Sequence, residues 1–332
     1  MMKVTWRSPA NLALIKYWGK KENQFPINPS LSFPLLNCLT QTSVEALEKA
    51  TGDFDLKCYL NNELHLEFTQ KIKKYFQIIA EIEPRIKNYH YKVMTQNSFP
   101  YGAGIASSAS GYSALAGCLG SLFQQSDIKT LSHWARLGSG SACRSFYDEF
   151  SIWGESAMNP SWRDEHASSY PMERVHPLFQ KMHNLIFLVD THEKKVSSSE
   201  GHALMKSSHF KEVRIIQAQL NLKKILSSLE IGDWESFQRI VEEEALTLHG
   251  LMLAHEKGYS LTNDKTWGVI HFIRELQKNK KNQICFTLDA GPNVHVLFPQ
   301  NQSSLKAILH SFAEENKISF IESGWGTGAK QL

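Results

Sequence analysis

The chain has 332 residues, long for a single hydrophobic core and suggestive of two domains. Hydrophobic residues make up 42% and charged residues 21%, an ordinary globular composition. The formal net charge of +3 is too small to argue for nucleic acid or a membrane surface as partner. No apolar run approaches the roughly 18 residues of a membrane span. The opening MMKVTWRSPANLALIKYWGKK lacks the apolar core and small-residue cleavage pattern of a signal peptide, so a cytoplasmic location is expected. Five scattered cysteines without a CxxC argue against a disulfide framework and a zinc site. Fourteen histidines show no HExxH or other ligand spacing, so no residue is assigned to a metal.

Taken in order, residues 3–20 begin as an alternating strand and pass into the polar–apolar segment ANLALIKYWGK. The three prolines of NQFPINPSLSFPL exclude a regular helix. QTSVEAL and DLKCYLNNELHLEF read as strands, with Asn61 and Asn62 forming a hairpin turn. Ile72, Tyr75, Phe76 and Ile79 give helical spacing over 70–83, with Lys71, Lys73 and Lys74 on its solvated face. YKVMTQNSF is a strand leading into FPYGAGIASSASGYS, after which Ala109, Tyr112, Ala116, Leu119 and Phe123 mark a small-residue helix. LSHWARLGS reads as another helix, SGSACRS as a helix start or tight turn, and the polar, aperiodic 159–176 as a surface loop or lid. NLIFLVD is a buried strand opening a second domain. Helices follow over 210–229, 233–255 (with Asp233 as N-cap) and 264–278. Strand, turn and strand over QICFTLDAGPNVHVLF, a helix over 303–315 and an edge strand ISFIESGWG complete an α+β layer.

The glycine stretch is the first candidate site. Glycines let a backbone close around an anion, and the helix start behind them offers free N–H groups and a positive dipole end. Taken alone it stands equally as a phosphate loop or as a glycine-rich turn before a core helix. It lacks GxxxxGK[ST], and GAGIAS is one residue short of GxGxxG with no suitable acid about 20 positions on. Asp289 is the only acid within DAGPN, and by itself it is as readily a turn former as a catalytic group.

Together the motifs say more. PYGAGIASSASG resembles the ATP loop of the GHMP small-molecule kinase superfamily. ANLALIKYWGK, INPSLSFPL, FPYGAGIASSASGYSALAG, GSGSACRS, VSSSEGH and LDAGPNVHV are similar, in this order, to segments of the mevalonate diphosphate decarboxylases within it. The resemblance implies the GHMP fold: an N-terminal domain like ribosomal protein S5 domain 2 over 1–182, a ferredoxin-like C-terminal domain over 183–332, and a cleft between them. It implies ATP, with Mg2+ arriving on it, and mevalonate 5-diphosphate as small-molecule substrate. The product is isopentenyl diphosphate, formed through 3-phosphorylation within the mevalonate pathway, by a homodimer.

Residue by residue, it implies Asp289 and Lys16 as the catalytic pair. Tyr17, Trp18, Lys20, Ser139 and Ser141 would stand near the substrate diphosphate, although Trp18 is equally a packing residue. Arg144 is the bidentate partner of the substrate carboxylate, because a guanidinium fork matches it. Asn11 and Ser198 complete the substrate side; Tyr101, Gly102, Gly104, Ala106, Ser107 and Ser108 would hold ATP. A plain mevalonate-type kinase, a decarboxylase of mevalonate 5-phosphate and an inactive ligand-binding relative are the alternatives. This sequence departs from the family where Tyr147, Asp148 and Glu149 replace a glycine pair, where His202 replaces a methionine, and where Ser208 and His209 replace Thr-Ser.

Overall fold

A computed structural model describes residues 1–49, 54–100, 107–190 and 198–332. The chain opens with β1 (Met2–Ile15), β2 (Ser30–Glu48), β3 (Leu56–Leu60), β4 (Glu63–Leu64), α1 (Leu66–Ala80) and β5 (Tyr89–Asn97). There follow α2 (Ser107–Leu122), α3 (Ile128–Gly138), β6 (Phe150–Trp153), β7 (Ser168–Tyr170) and α4 (Pro177–Gln180). The second half comprises β8 (Met182–Leu188), α5 (Ser198–Leu204), α6 (Lys211–Ile231), α7 (Trp234–Leu253) and α8 (Asp264–Gln277), then β9 (Cys285–Leu288), β10 (Val294–Pro299), α9 (Leu305–Glu315), β11 (Ser319–Gly324) and β12 (Lys330–Gln331).

Two sheets result among the described residues. The first has the order β12-β1-β2-β5-β3-β4, with β6 paired to β2 and β7 to β6. The second has the order β11-β8-β10-β9, all antiparallel. Its strand–helix–strand–strand–helix–strand succession is the ferredoxin-like arrangement. The fold is therefore α+β of the GHMP type, as the motifs imply.

Local chemistry accounts for the elements. Asn61 and Asn62 turn the β3–β4 hairpin with φ of 51° and 71°, left-handed values that asparagine tolerates better than most residues. In α1, Ile72, Tyr75, Phe76 and Ile79 are buried at helical spacing, as expected. The helix starts earlier than the sequence suggested, because the His65 ring caps it by accepting the Phe68 N–H at 3.2 Å. Residues 65–68 thus leave the strand in which they were expected. Asp233 caps α7 through the Ser236 N–H at 3.1 Å. α2 is buried on almost every side and needs small residues. A Cβ on Gly117 would lie 2.3 Å from Cδ2 of Trp6, so its absence lets the helix settle on β1.

The segment 159–176 is not an open lid. Trp162, Ala167, Tyr170 and Val175 are buried, and β7 pairs with β6. Single apolar anchors in a polar sequence leave no periodicity to read, yet each one buried contributes about 1.5–3 kcal/mol if large. The continuous apolar run of β8 has a matching cause, since both faces of that strand are covered. Leu185 and Phe187 join a core with Val269, Ile270 and Leu309. Ile186 joins a second core that also holds Leu12, Leu14 and Phe33 with Leu222, Ile225 and Phe237. That shared core binds the first sheet to α6 and α7, and the site lies along its border.

Candidate active site

β1 delivers Asn11 and Lys16 to the border between the two layers. Lys16 is 1% exposed, and its Nζ donates to Asp289 Oδ1 at 3.1 Å and to the Ala13 carbonyl at 2.6 Å. Burial lowers the Lys16 pKa below the ordinary lysine value, with the Asp289 carboxylate opposing that shift. Asp289 sits in the turn between β9 and β10. Its main-chain oxygen accepts from His249 Nε2 on α7 at 3.1 Å and from the Gly291 N–H at 2.7 Å. The carboxylate keeps a side-chain exposure of 22% beside a fully buried ammonium, an arrangement open on the acid side only.

Arg144 stands in the 3₁₀ segment Gly140–Phe146 that follows α3. It is 3% exposed, and its Nε and Nη1 have no hydrogen-bond partner among the described residues. Leaving buried donors unpaired is costly, and for a charged group especially so. Burial lowers the pKa of this guanidinium, with Cys143 and Asp289 acting in the opposite direction. With these donors unpaired, the guanidinium is available to an anion such as a carboxylate. Asn11 supports the same segment, its Nδ2 donating to Ser145 Oγ at 2.8 Å and to the Ser141 carbonyl at 3.0 Å.

Around this pair the aromatic residues pack tightly. Tyr17 lies 4.7 Å from Trp153 and 4.3 Å from His202 between ring centres, its hydroxyl buried without a hydrogen-bond partner among the described residues. Burial raises its pKa. Trp18 is 2% exposed and packs with Met205, Leu248 and Met252. Gly19 turns the chain with φ of +91° and donates its N–H to His202 Nδ1 at 2.9 Å. His202, in place of the family methionine, thus fills an apolar slot and accepts a hydrogen bond. Burial pushes its pKa down to about 3, which keeps it neutral.

Lys20 is half-buried, and its Nζ donates to Gln24 Oε1 at 3.1 Å. Burial and the nearby Lys206 both lower its pKa, so two cations stand close together here. Ser107 and Ser108 open α2, and Ser139 Oγ donates to Ser108 Oγ at 3.3 Å, which joins the helix start to the Arg144 segment. Ser141 is half-buried in that segment. Ser198 begins α5. Tyr101, Gly102, Gly104 and Ala106 lie outside the described residues.

The departures from the family pattern have local uses. Tyr147 donates its hydroxyl to the Ala167 carbonyl, Asp148 Oδ1 accepts the Gly328 N–H at 2.7 Å, and Glu149 Oε2 accepts from Ser169 Oγ at 2.7 Å. All three tie the Arg144 segment to its surroundings. Ser208 Oγ accepts the Phe210 N–H at 3.2 Å ahead of α6. His249, Lys206, Arg214 and Glu244 were not singled out from sequence. Arg214 and Glu244 left one signal: charged residues at helical spacing from buried apolar neighbours, Leu222 and Ile225 on α6 and Ile240 and Leu248 on α7.

A buried lysine–carboxylate contact, a buried guanidinium with two donors unpaired among the described residues and a serine-bordered helix start, set on these two layers, fit a GHMP-type small-molecule enzyme. Comparison with known proteins narrows the class. Residues 8–167 match the diphosphomevalonate decarboxylase-like N-terminal domain, and residues 184–327 the mevalonate 5-diphosphate decarboxylase C-terminal domain. The diphosphomevalonate decarboxylase of Ganoderma lucidum is 30% identical over 90% of this chain and 78% of its own length. The crystal structure of mevalonate diphosphate decarboxylase from Staphylococcus aureus superposes with a TM-score of 0.86 at 29% identity, covering 99% of this chain and 98% of that one. A structure described as MDDEF in complex with MVAPP, AMPPCP and magnesium gives a TM-score of 0.85 at 29% identity, covering 100% and 99%. The chain belongs to the diphosphomevalonate decarboxylase family.

Proposed function

We propose that the chain converts mevalonate 5-diphosphate to isopentenyl diphosphate at the expense of ATP, releasing ADP, phosphate and CO2. The observation that carries this reading is the buried Arg144 guanidinium, idle at Nε and Nη1, near the Lys16–Asp289 pair. A plain kinase has no need of a buried fork for a carboxylate that never leaves.

In this reading Asp289 orients the 3-hydroxyl of the substrate and receives its proton as the oxygen takes up the γ-phosphoryl group. A carboxylate is too weak a base to ionise a tertiary alcohol beforehand, so proton and phosphoryl transfer run together. Lys16 holds Asp289 in place and offsets negative charge that gathers on the reacting oxygens. The phosphate then leaves C3 with the C–O electron pair. The electrons of the C–CO2 bond become the new double bond, while Arg144 keeps the carboxylate aligned until that bond breaks. Tyr17, Lys20, Ser139 and Ser141 take the substrate diphosphate, and Asn11 and Ser198 complete that side. Trp18, next to Tyr17 in the chain, is taken as part of the same substrate side.

Ser107 and Ser108, with Tyr101, Gly102, Gly104 and Ala106, receive the nucleotide. Among the described residues no group of three His, Cys, Asp or Glu side chains stands ready for a metal. Mg2+ would arrive on the ATP phosphates, and the serine hydroxyls of the α2 start are the side chains that would help to hold it. When bound it offsets charge on the transferring phosphoryl group. The same reading takes residues 1–182 and 183–332 as the two domains and a cytoplasmic homodimer as the working form, with a small molecule and no nucleic acid as its partner. Among the described residues no helix is long and apolar enough to cross a membrane.

The test is to incubate the protein with MgATP and either mevalonate 5-diphosphate or mevalonate 5-phosphate, following ADP and CO2. Equal release of both products from the diphosphate is expected. ADP without CO2 would reduce the protein to a kinase, turnover of the monophosphate alone would change the substrate, and neither product would leave only a binding protein.

A further inference from the structure

Behind the reaction centre lies a buried ion pair that the proposed chemistry does not use. Arg214 of α6 and Glu244 of α7 have side-chain exposures of 1% and 0% and meet through two bonds, Nη2 to Oε2 at 2.6 Å and Nη1 to Oε1 at 2.8 Å. Asn221 Nδ2 donates to Glu244 Oε1 at 2.9 Å. The pair does not merely satisfy itself. Glu244 Oε2 also accepts the main-chain N–H of Lys16 at 2.8 Å, and Arg214 Nη2 donates to the Lys16 carbonyl at 2.9 Å. Asn28 Nδ2 shares that carbonyl, also at 2.9 Å. Both polar groups of one residue in β1's continuation are therefore gripped by two helices of the other layer.

A buried pair of this kind is a poor source of stability, because desolvation offsets most of its attraction. Its bonds are directional, however, and its fork geometry fixes position closely. The residue held is the one whose Nζ meets Asp289 at 3.1 Å, and Asp289 is itself borne by the β9–β10 turn of the second layer. Resting on the function proposed above, we infer that Arg214 and Glu244 are positioning residues of the reaction. They clamp the Lys16 peptide across the layer border and so set its ammonium against Asp289.

The test uses Glu244→Gln and Arg214→Lys, each in the full chain and in a Lys16→Met background. Glu244→Gln removes the carboxylate charge and leaves a buried guanidinium unbalanced. Arg214→Lys keeps the ion pair but cannot span both Glu244 and the Lys16 carbonyl, so it serves should the first variant melt too low to assay. A displacement of Lys16 by about an ångström predicts a kcat lower by about 10- to 100-fold with KM for MgATP within about threefold. If the clamp acts through Lys16, the same substitutions in the Lys16→Met background lower kcat by less than about twofold further. Losses that multiply in full in that background, or folded variants with unchanged kcat, would overturn the inference.

Amide hydrogen exchange at Lys16 gives a readout independent of turnover. It should rise about tenfold or more in either variant while α1 stays as protected as before, since loss of the clamp is a local opening. A wild-type protein that releases no CO2 would sink the function and not the clamp, which unchanged exchange at Lys16 would sink by itself.

Discussion

Asp289 and Lys16 share one contact of 3.1 Å in which the cation is buried and the acid is partly exposed. Replacing Asp289 by Asn removes the proposed proton acceptor and keeps the shape, so kcat should fall by about 10²–10⁴-fold. MgATP affinity, measured by titration, should stay nearly unchanged. Arg144→Ala should act elsewhere: substrate affinity falls by about 10-fold or more, the loss expected of a charge-assisted fork, with nucleotide affinity again preserved. A variant set in which Asp289→Asn keeps most of its turnover would remove Asp289 from the mechanism. His202 and His295 add a pH dependence, since burial pushes their pKa values down to about 3 and about 4. Both are lowered relative to the unfolded chain, so their contribution is complete above about pH 6.5 and is lost as pH falls through 6.5 toward 4. Melting curves between pH 7 and 4 should show that loss, and His202→Met should reduce its pH slope while lowering the pH 7 melt as well, because the buried Gly19 N–H loses its acceptor.

At the scale of elements, what could be read in advance follows from how each segment is buried. α1, α7 and α8 show one apolar face and were legible to within a few residues, while α6 was legible from its length although it leaves Val213, Ile216 and Leu220 exposed. β8 was legible because burial on two faces leaves an unbroken apolar run. The segment 159–176 was not, because Trp162, Tyr170 and Val175 anchor it singly. β1 was legible only in part: past Ser8 every position is buried, so alternation stops although the strand continues to Ile15. α2 depends on the absence of side chains as much as on their presence. Gly117→Ala would press a methyl group into the Trp6 ring and should cost about 1–3 kcal/mol, read as a lower denaturant midpoint. An unchanged midpoint would mean that Trp6 turns aside freely.

For the whole molecule, the division into two layers is less clean than the sequence suggested. β12 lies beyond the second sheet in the chain and yet pairs with β1 of the first, Lys330 opposite Arg7 and Gln331 opposite Trp6. Gln331 Oε1 accepts from Ser121 Oγ at 2.9 Å, and the Leu332 N–H donates to the Thr5 carbonyl at 2.9 Å. Deleting residues 330–332 should therefore destabilise the first layer by about 1–3 kcal/mol, the net worth of a few hydrogen bonds. Exchange should quicken at β1 and stay unchanged at β9 and β10. If β9 and β10 quicken equally, the two layers unfold as one unit through their shared core.

The sequence by itself determined the family, the α+β class and the principal helices, and it supplied the candidate polar residues whose roles are proposed above. Those features reside in short motifs and in the periods of helix and strand. Tertiary structure decided which of these groups meet. Lys16 and Asp289 are far apart in the chain, and neither motif carries information about the other. The same holds for Arg214 and Glu244, whose helices must pack before their charges can grip the Lys16 peptide. Burial also decided the chemistry of each group, because removing water from Lys16, Arg144 and His202 shifts their proton affinities in ways that no local pattern encodes.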